Sequence, residues 1–249
     1  MVENKDSWTM GEGHSANPIL DPVNQVLIDQ LAAGGGPPIY TLTPDEARSR
    51  LLRAQASPVR KPDAQVKEWN VCSGAYTLRL RTIRPYAAID RGPVIMYFHG
   101  AGWVMGDSAT HDRLVRELAV GANAMIVFVD YDRAPEHRYP VAIEKAYAAT
   151  CFVSGHAGEL GVDVARLAVA GDSVGGNMAT VVSLLAKKRS GPAITGQLLF
   201  YPVTNADFAT GSYKQFVDGP WLTGPPCNGF GTNTFRIIAC ARIPPLPRC

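Results

Sequence analysis

Short apolar runs alternate with longer helical patterns through the middle of this sequence. A strand that is apolar throughout is typical of a parallel sheet whose two faces are both covered by helices. The predicted strands are residues 94–98, 125–129, 167–170 and 197–201. The predicted helices between them are residues 109–120, 141–154 and 177–188. The sequence therefore predicts an α/β protein with a mostly parallel, doubly wound sheet.

Two helices and a hairpin are predicted before this alternation begins. A helical pattern runs from Pro18 to the glycine and proline residues at 34–38. A second helix is predicted from Pro44 to about Ala56, with Thr43 as its N-cap and a glutamate completing a capping box. Alternating segments on either side of Ser-Gly at 73–74 then predict a β-hairpin.

The segment Gly-Asp-Ser-Val-Gly at residues 171–175 joins a predicted strand to a predicted helix. A serine at the tip of such a turn is held in a strained conformation, and the glycines on either side, Gly171 and Gly175, let strand and helix approach closely. The amide of Val174 and the positive end of the helix then face any negative charge on a substrate carbonyl. A lone G-x-S-x-G also occurs in unrelated glycine-rich loops, so the strand before it and the helix after it are what favour an acyl-transfer site.

A second glycine-rich segment, His-Gly-Ala-Gly-Trp at residues 99–103, follows a predicted strand and is closed by Gly106. Such a loop at the carboxyl end of a parallel strand exposes backbone amides that can donate to an oxyanion. A tight turn or a phosphate-binding loop is the alternative. The sequence lacks G-x-x-x-x-G-K-[ST] and the acidic residue that follows a dinucleotide-binding loop, which disfavours a nucleotide site.

Several segments in register resemble one family. Residues 99–103, 131–137 (Tyr-Asp-Arg-Ala-Pro-Glu-His) and 171–177 (Gly-Asp-Ser-Val-Gly-Gly-Asn) resemble the H-G-G-G-W, Y-R-L-A-P-E-H and G-D-S-A-G-G-N motifs of the hormone-sensitive-lipase-like esterases. Residues 219–223 resemble the family's segment that leads into a cap helix. The resemblance implies an α/β-hydrolase fold and a serine carboxylesterase that acts on small acyl esters, with no cofactor and no metal.

The resemblance also implies roles for individual residues. Ser173 would be the nucleophile. The backbone amides of the oxyanion hole would come from Ala101, Gly102 and Val174. The residues that support these motifs would be His99, Gly100, Gly171, Asp172 and Gly175. Within this set, His99 would shape its loop and would not be the catalytic base.

Other polar residues near these motifs are given structural interpretations. His111 is expected on a helix surface and His137 in the packing of a turn. Asp130 and Glu136 precede the serine, which is out of order for the acid of the triad. They are expected to tie loops together by hydrogen bonds.

Two departures from the family motifs affect the site. Ala101 stands where the family has the middle glycine, and if the backbone there has positive φ, alanine costs about 1 kcal/mol or more in strain. Asp132 and Arg133 replace the family's Arg-Leu pair, which changes the packing of that turn.

The residues after Ser173 do not supply the other two members of a triad. None of the five histidines follows it, and Asp207 and Asp218 are the only later acids. Both acids come before the strands that carry the triad partners in the family. A serine hydroxyl without a base is a weak nucleophile. We therefore expect impaired turnover.

The last segment, residues 224–249, is rich in glycine and proline and has no helical or strand period beyond two isoleucines. Read in a shifted frame from the codon of Gly224, synonymous codons permit an aromatic amphipathic segment of the kind the family has there. We interpret the segment as an aberrant, out-of-frame tail, which DNA sequence around codons 223 and 224 would test. The expected organisation is N-terminal cap helices over 1–57, an incomplete core over 58–223 that lacks the final strands, and this tail.

Composition gives little sign of other partners. The net charge is +2 and the basic residues form no block, so no nucleic-acid partner is indicated. The first thirty residues contain no apolar stretch long enough for a signal peptide or a membrane span, and the expected location is the cytoplasm. Of the five cysteines, Cys72 and Cys151 are interpreted as core thiols, and no Cys/His spacing indicates a metal site. Oligomeric state stays open.

A second hypothesis uses the same pocket without catalysis. In it the chain is a non-catalytic small-ligand-binding protein on an α/β-hydrolase scaffold. The oxyanion donors would then hold a small carboxylate or ester without turnover. Covalent labelling of the serine by an organophosphate would distinguish the two, because labelling requires an activated hydroxyl.

Overall fold

The computed structural model describes residues 20–88, 90–207 and 209–217, and the predicted tail lies outside these ranges. The described strands are β1 (Ala64–Ser73), β2 (Tyr76–Pro85), β3 (Gly92–Phe98), β4 (Met125–Val129), β5 (Val162–Asp172) and β6 (Gly196–Phe200). The described helices are α1 (Pro22–Ala33), α2 (Pro44–Ala54), α3 (Asp112–Ala122), α4 (Val141–Gly155), α5 (Ala157–Leu160), α6 (Val174–Lys188) and α7 (Gly211–Gln215).

These strands form one sheet in the order β1-β2-β4-β3-β5-β6. The four strands from β4 to β6 in this order are parallel, whereas β2 pairs antiparallel with both β1 and β4. The predicted hairpin is confirmed, because Ser73 lies opposite Tyr76 and Gly74 between them has φ 58°. The sheet is therefore mostly parallel, as predicted.

The central strands are buried on both faces. Met96 and Phe98 of β3 belong to the core beneath α4 and α6, whereas Tyr97 points to the opposite face. There it packs in the core that includes Val115 and Ala119 of α3. All five residues of β4 are buried. Since both faces are covered, an alternating pattern has no advantage in these strands, which explains their unbroken apolar runs.

The N-terminal helices are both present with shifted ends. Helix α1 begins at Pro22 and belongs to a unit that ends at Gly36, whereas α2 belongs to the larger unit that begins at Pro37. The capping box of α2 is confirmed: the Thr43 amide donates to Glu46 Oε2 at 2.8 Å, and Thr43 Oγ1 accepts from the Glu46 amide at 3.4 Å. The predicted division at residues 57/58 stays a prediction.

The interpretation of Cys72 as a core thiol is wrong. Strand β1 lies at an edge of the described sheet, and Glu68, Asn70 and Cys72, which alternate along one of its faces, are exposed. Cys151 in α4 is half-buried. No helix in the described ranges is both long enough and apolar enough to cross a membrane.

Ile126 of β4 tests how tightly the centre of the sheet is packed. The side chain is fully buried, so Ile126→Ala should lower the free energy of unfolding by about 2–5 kcal/mol through lost contacts and a cavity. Val120→Ala on the exposed face of α3 is the matched control and should change it by no more than about 0.5 kcal/mol. Urea denaturation measures both. Equal effects of the two substitutions would contradict the two-sided core.

Candidate active site

Ser173 lies at the junction of β5 and α6 with φ 54° and ψ −118°. A serine pays about 1–3 kcal/mol for such a backbone, so the surroundings must hold it there. Three backbone hydrogen bonds do so. The Ser173 amide donates to the carbonyl of Phe200 at 2.9 Å, and the Ser173 carbonyl accepts from the amides of Asn177 (3.2 Å) and Val203 (3.1 Å). The end of β6 thus anchors the serine turn.

The two flanking glycines of this turn are required by close backbone approach. A Cβ on Gly175 would overlap the carbonyl oxygen of Phe98, and one on Gly171 would overlap the backbone of Gly175. The first turn of α6 therefore sits directly against the end of β3. This contact brings the serine turn next to the loop that follows β3.

That loop has three successive residues with positive φ: Ala101 (74°), Gly102 (71°) and Trp103 (58°). Ala101, which stands where the family has glycine, therefore has a backbone conformation that is costly for alanine. The Met105 amide donates to the Ala101 carbonyl at 3.0 Å. Val174 is the first residue of α6, and the first amides of a helix have no acceptor within it. Assignment of these amides to an oxyanion hole stays a prediction.

Asp172 connects the serine turn to the glycine loop. Its buried Oδ1 accepts from the Gly100 amide at 2.9 Å and from the Tyr97 hydroxyl at 2.8 Å, and His111 Nε2 lies 3.5 Å away. Burial alone would raise the pKa of this carboxyl, but the contacts with His111, Tyr97 and Gly100 outweigh it and lower the pKa below its usual range. The carboxylate is therefore the stable form in the fold.

His99 is fully buried against aromatic rings. It stacks on Tyr131 with ring centroids 4.1 Å apart and on Phe128 at 5.4 Å. Its Nδ1 lies 3.0 Å from the Gly100 carbonyl, which can only accept, so Nδ1 carries the proton. Burial, with the nearby His111, lowers the pKa of His99 to about 3. A ring this weakly basic fits a role in shaping the loop.

His111 is not on a helix surface as predicted. It is the N-cap residue of α3, and its side chain is 11% exposed because it turns inward toward Asp172. Its other nitrogen, Nδ1, lies 3.0 Å from Thr110 Oγ1. Both ring nitrogens are therefore engaged. No sequence signal marked this histidine, since its position depends on how α3 packs.

Asp130 and Glu136 make the expected hydrogen bonds, but they join the loop after β4 to strand β2 and helix α2 and not to another loop. Arg79 Nε donates to Asp130 Oδ2 at 3.2 Å, and Arg48 Nη2 donates to Glu136 Oε2 at 2.7 Å. The replacement pair at 132–133 is accommodated by new polar contacts. Arg79 Nη2 and Lys145 pair with Asp132. Arg133 donates to the Gly106 carbonyl at 2.6 Å, at the end of the glycine loop.

A cavity of about 540 Å³ opens beside this turn. Ala101 and Asp172 line it, together with Tyr201, which follows β6. Leu51 of α2 and Leu114 of α3 also line it, with Gln55 and His111 at the ends of these helices. Within the described ranges, no group of three or more His, Cys, Asp or Glu side chains is placed to hold a metal ion.

A mostly parallel sheet that ends in a strained serine turn, with a glycine loop beside it, is the architecture of the α/β hydrolases. The chain belongs to this family, because the family model described as alpha/beta hydrolase fold matches residues 95–236. The matched range extends into the segment interpreted as out of frame, and that interpretation stays a prediction.

Individual relatives agree with this membership. The chain is 40% identical over 216 residues to the carboxylesterase NlhH of Mycobacterium tuberculosis, which covers 86% of this chain and 66% of the relative. It is 39% identical over 204 residues to an alpha/beta hydrolase of Acanthamoeba polyphaga mimivirus, with 82% and 58% covered. A crystal structure of a thermostable esterase from Pseudomonas putida superposes with a TM-score of 0.84 at 47% identity, covering 88% of this chain and 69% of that one. The chain thus spans between 58% and 66% of the length of these two curated relatives.

Gly175 tests the close contact beneath the serine. Gly175→Ala should lower the free energy of unfolding by about 3 kcal/mol or more, because the methyl group meets backbone that cannot move without shifting β3. Gly121→Ala in α3, where an added Cβ meets nothing within 4 Å, is the control and should stabilise by up to about 1 kcal/mol. Thermal unfolding measures both. An unchanged melting temperature for Gly175→Ala would refute the contact.

Asp172 tests the charged clamp through its pH dependence. Its pKa is lowered on folding, so its contribution to stability is present above the unfolded pKa of about 3.9 and is lost as pH falls through the folded value. Asp172→Asn should cost about 1–2 kcal/mol at pH 7, since hydrogen bonds to a charged acceptor are replaced by neutral ones. The difference from the parent protein should shrink at the lowest pH.

Urea denaturation at a series of pH values measures this difference. Asp207→Asn, an isosteric change at an exposed site, is the control and should give a small effect. A difference for Asp172→Asn that does not vary with pH would contradict a stabilising carboxylate.

Proposed function

We propose that this chain is a serine carboxylic-ester hydrolase. In this proposal Ser173 is the nucleophile, and the backbone amides of Ala101, Gly102 and Val174 form the oxyanion hole. One observation carries the proposal. Ser173 is held at φ 54° and ψ −118° between β5 and α6, and Asp172 beside it binds the glycine loop. This arrangement supports a serine hydroxyl presented next to backbone amides that can donate to an oxyanion.

The pocket supports a small acyl ester as substrate. Its volume of about 540 Å³ lies in the lower part of the range typical of small-molecule sites. Leu51 and Leu114 supply apolar lining, and Asp172 is among the polar groups that line the same cavity. The relatives named carboxylesterase and esterase support the same substrate class.

In the proposed reaction, Ser173 Oγ bonds to the ester carbonyl carbon and the carbonyl oxygen becomes negative. The amides of the glycine loop and of Val174, with the positive end of α6, stabilise that charge. The serine proton must pass to a base, and the alcohol then leaves with a proton. Water afterwards releases the acid from the acyl-enzyme.

We propose that this polypeptide is impaired in the transfer of the serine proton to a base. All five histidines precede Ser173 in the sequence. His99 is too weakly basic, with its pKa lowered to about 3 by burial. His111 has both nitrogens engaged with other groups. A polypeptide of these 249 residues should therefore bind an ester but hydrolyse it slowly.

The same observation favours a second candidate, a non-catalytic binder of small carboxylates or esters. The pocket and the glycine loop are formed, whereas neither described histidine of the site is placed as a base. In this case the serine hydroxyl has no chemical role and stays unreactive toward any electrophile.

Imidazole supplied in solution distinguishes these possibilities. A p-nitrophenyl phosphonate ester traps a reactive serine: Ser173 Oγ bonds to phosphorus, p-nitrophenolate leaves and the base takes the proton. Without imidazole, we expect hydrolysis of p-nitrophenyl butyrate to match that of Ser173→Ala. With imidazole, intact mass should show phosphonate addition, and peptide mapping should place it on Ser173.

Other outcomes have definite meanings. Labelling of Ser173→Ala at the same rate would refute the nucleophile. Absence of labelling with imidazole, together with saturable binding of butyrate, would favour the non-catalytic binder. Hydrolysis without imidazole that Ser173→Ala abolishes would support the esterase and refute its impairment.

A further inference from the structure

All five N–H donors of the Arg48 guanidinium make hydrogen bonds. The sequence motifs gave this residue no role. Its side chain leaves α2 and is 17% exposed. Nε donates to the Val104 carbonyl at 2.8 Å, and Nη2 donates to the Ala134 carbonyl at 2.9 Å and to Glu136 at 2.7 Å. Nη1 donates to Glu136 at 2.8 Å and to Asp45 at 3.0 Å. A guanidinium has five such donors in a fixed plane, so none is left for water.

These contacts join three separate segments of the chain. Val104 belongs to the glycine loop and follows directly on its three positive-φ residues. Ala134 and Glu136 belong to the loop after β4, which also touches the glycine loop, because the Ala134 amide donates to the Trp103 carbonyl at 2.9 Å. Asp45 lies in the first turn of α2 itself. One side chain thus connects the helix to both loops.

The same helix supplies a wall of the pocket. Leu51 and Gln55 line the cavity. They follow Arg48 at positions i+3 and i+7, which lie on one face of a helix. The position of that wall over the site therefore depends on the anchor one turn earlier.

The anchor is bidentate and charged. The hydrogen bonds from Arg48 lower the pKa of Glu136 to about 2, so the pair stays charged well into the acid range. Lysine could not replace it, because an ammonium group offers three donors around a point charge and cannot reach two carbonyls and a carboxylate in one plane.

We propose that Arg48 is a positioning residue that sets the distance between the pocket wall of α2 and the glycine loop, and thereby the size of acyl group the site accepts. The size selection rests on the proposed function, whereas the positioning itself does not. A purely structural arginine would contribute to stability without any local effect on the loop. Amide hydrogen exchange and chemical rescue distinguish a positioning role from a purely structural one.

Amide hydrogen exchange on the whole protein makes the first test. In Arg48→Lys, the amides of Met105 and Ala134, which are bonded to the glycine loop, should exchange about tenfold faster or more, because charged hydrogen bonds to this region are lost. Amides of the β1–β2 hairpin should not change. Arg116→Lys is the matched control, since Arg116 is 19% exposed and pairs with Asp112 on its own helix, α3.

Chemical rescue makes the second test. Arg48→Ala removes the side chain beyond Cβ, and ethylguanidinium has the atoms that are missing. Ethylguanidinium should restore slow exchange at Met105 and Ala134, and ethylammonium at the same concentration should not. Uniformly faster exchange throughout the sheet, or equal rescue by both cations, would overturn the positioning role.

Phosphonate labelling in the presence of imidazole tests the size selection. The parent protein should prefer a short alkyl phosphonate over a long one in its inhibition constant, and Arg48→Lys should reduce this preference at least about threefold. An unchanged preference would refute the size selection. If no variant is labelled while the exchange results hold, the proposed function fails and the positioning of the loop by Arg48 stands.

Discussion

The contact between the backbone of Gly175 and the carbonyl of Phe98 is the constraint on which the site depends. It requires the first turn of α6 to lie against the end of β3, with no side chain between them. Asp172, immediately before the serine, is thereby brought within hydrogen-bond distance of Gly100. The serine turn and the glycine loop come from distant parts of the chain, and this close approach makes them neighbours.

Strain at the site is compensated from outside it. Ser173 and Ala101 both have positive φ, which ordinary residues adopt only when surrounding contacts enforce it. The end of β6 enforces it at the serine through backbone hydrogen bonds. At the glycine loop, the enforcing groups are side chains from elsewhere, Arg48 on Val104 and Arg133 on Gly106. Sheet pairing secures one half of the site and two arginines secure the other.

The sequence predicted those features that local patterns determine. Strand β4 was predicted with its observed ends, because a fully buried strand is apolar in every position. The capping box at Thr43 and the serine turn are likewise short patterns with a direct structural cause. His111 and Arg48 could not be predicted, since their roles arise from contacts with segments far away in the chain. Cys72 was misassigned because β1 is an edge strand that carries both exposed and half-buried residues.

The anchoring of Ser173 by Phe200 and Val203 determines when, during synthesis of the polypeptide, the serine turn can be held in place. A ribosome delivers the serine before it delivers the residues that hold its backbone in place. Until β6 has emerged and paired with β5, the turn has no partner to offset its strain, and the flanking strand remains open to other chains. The backbone of Ser173 is therefore anchored only after Val203 has left the ribosome.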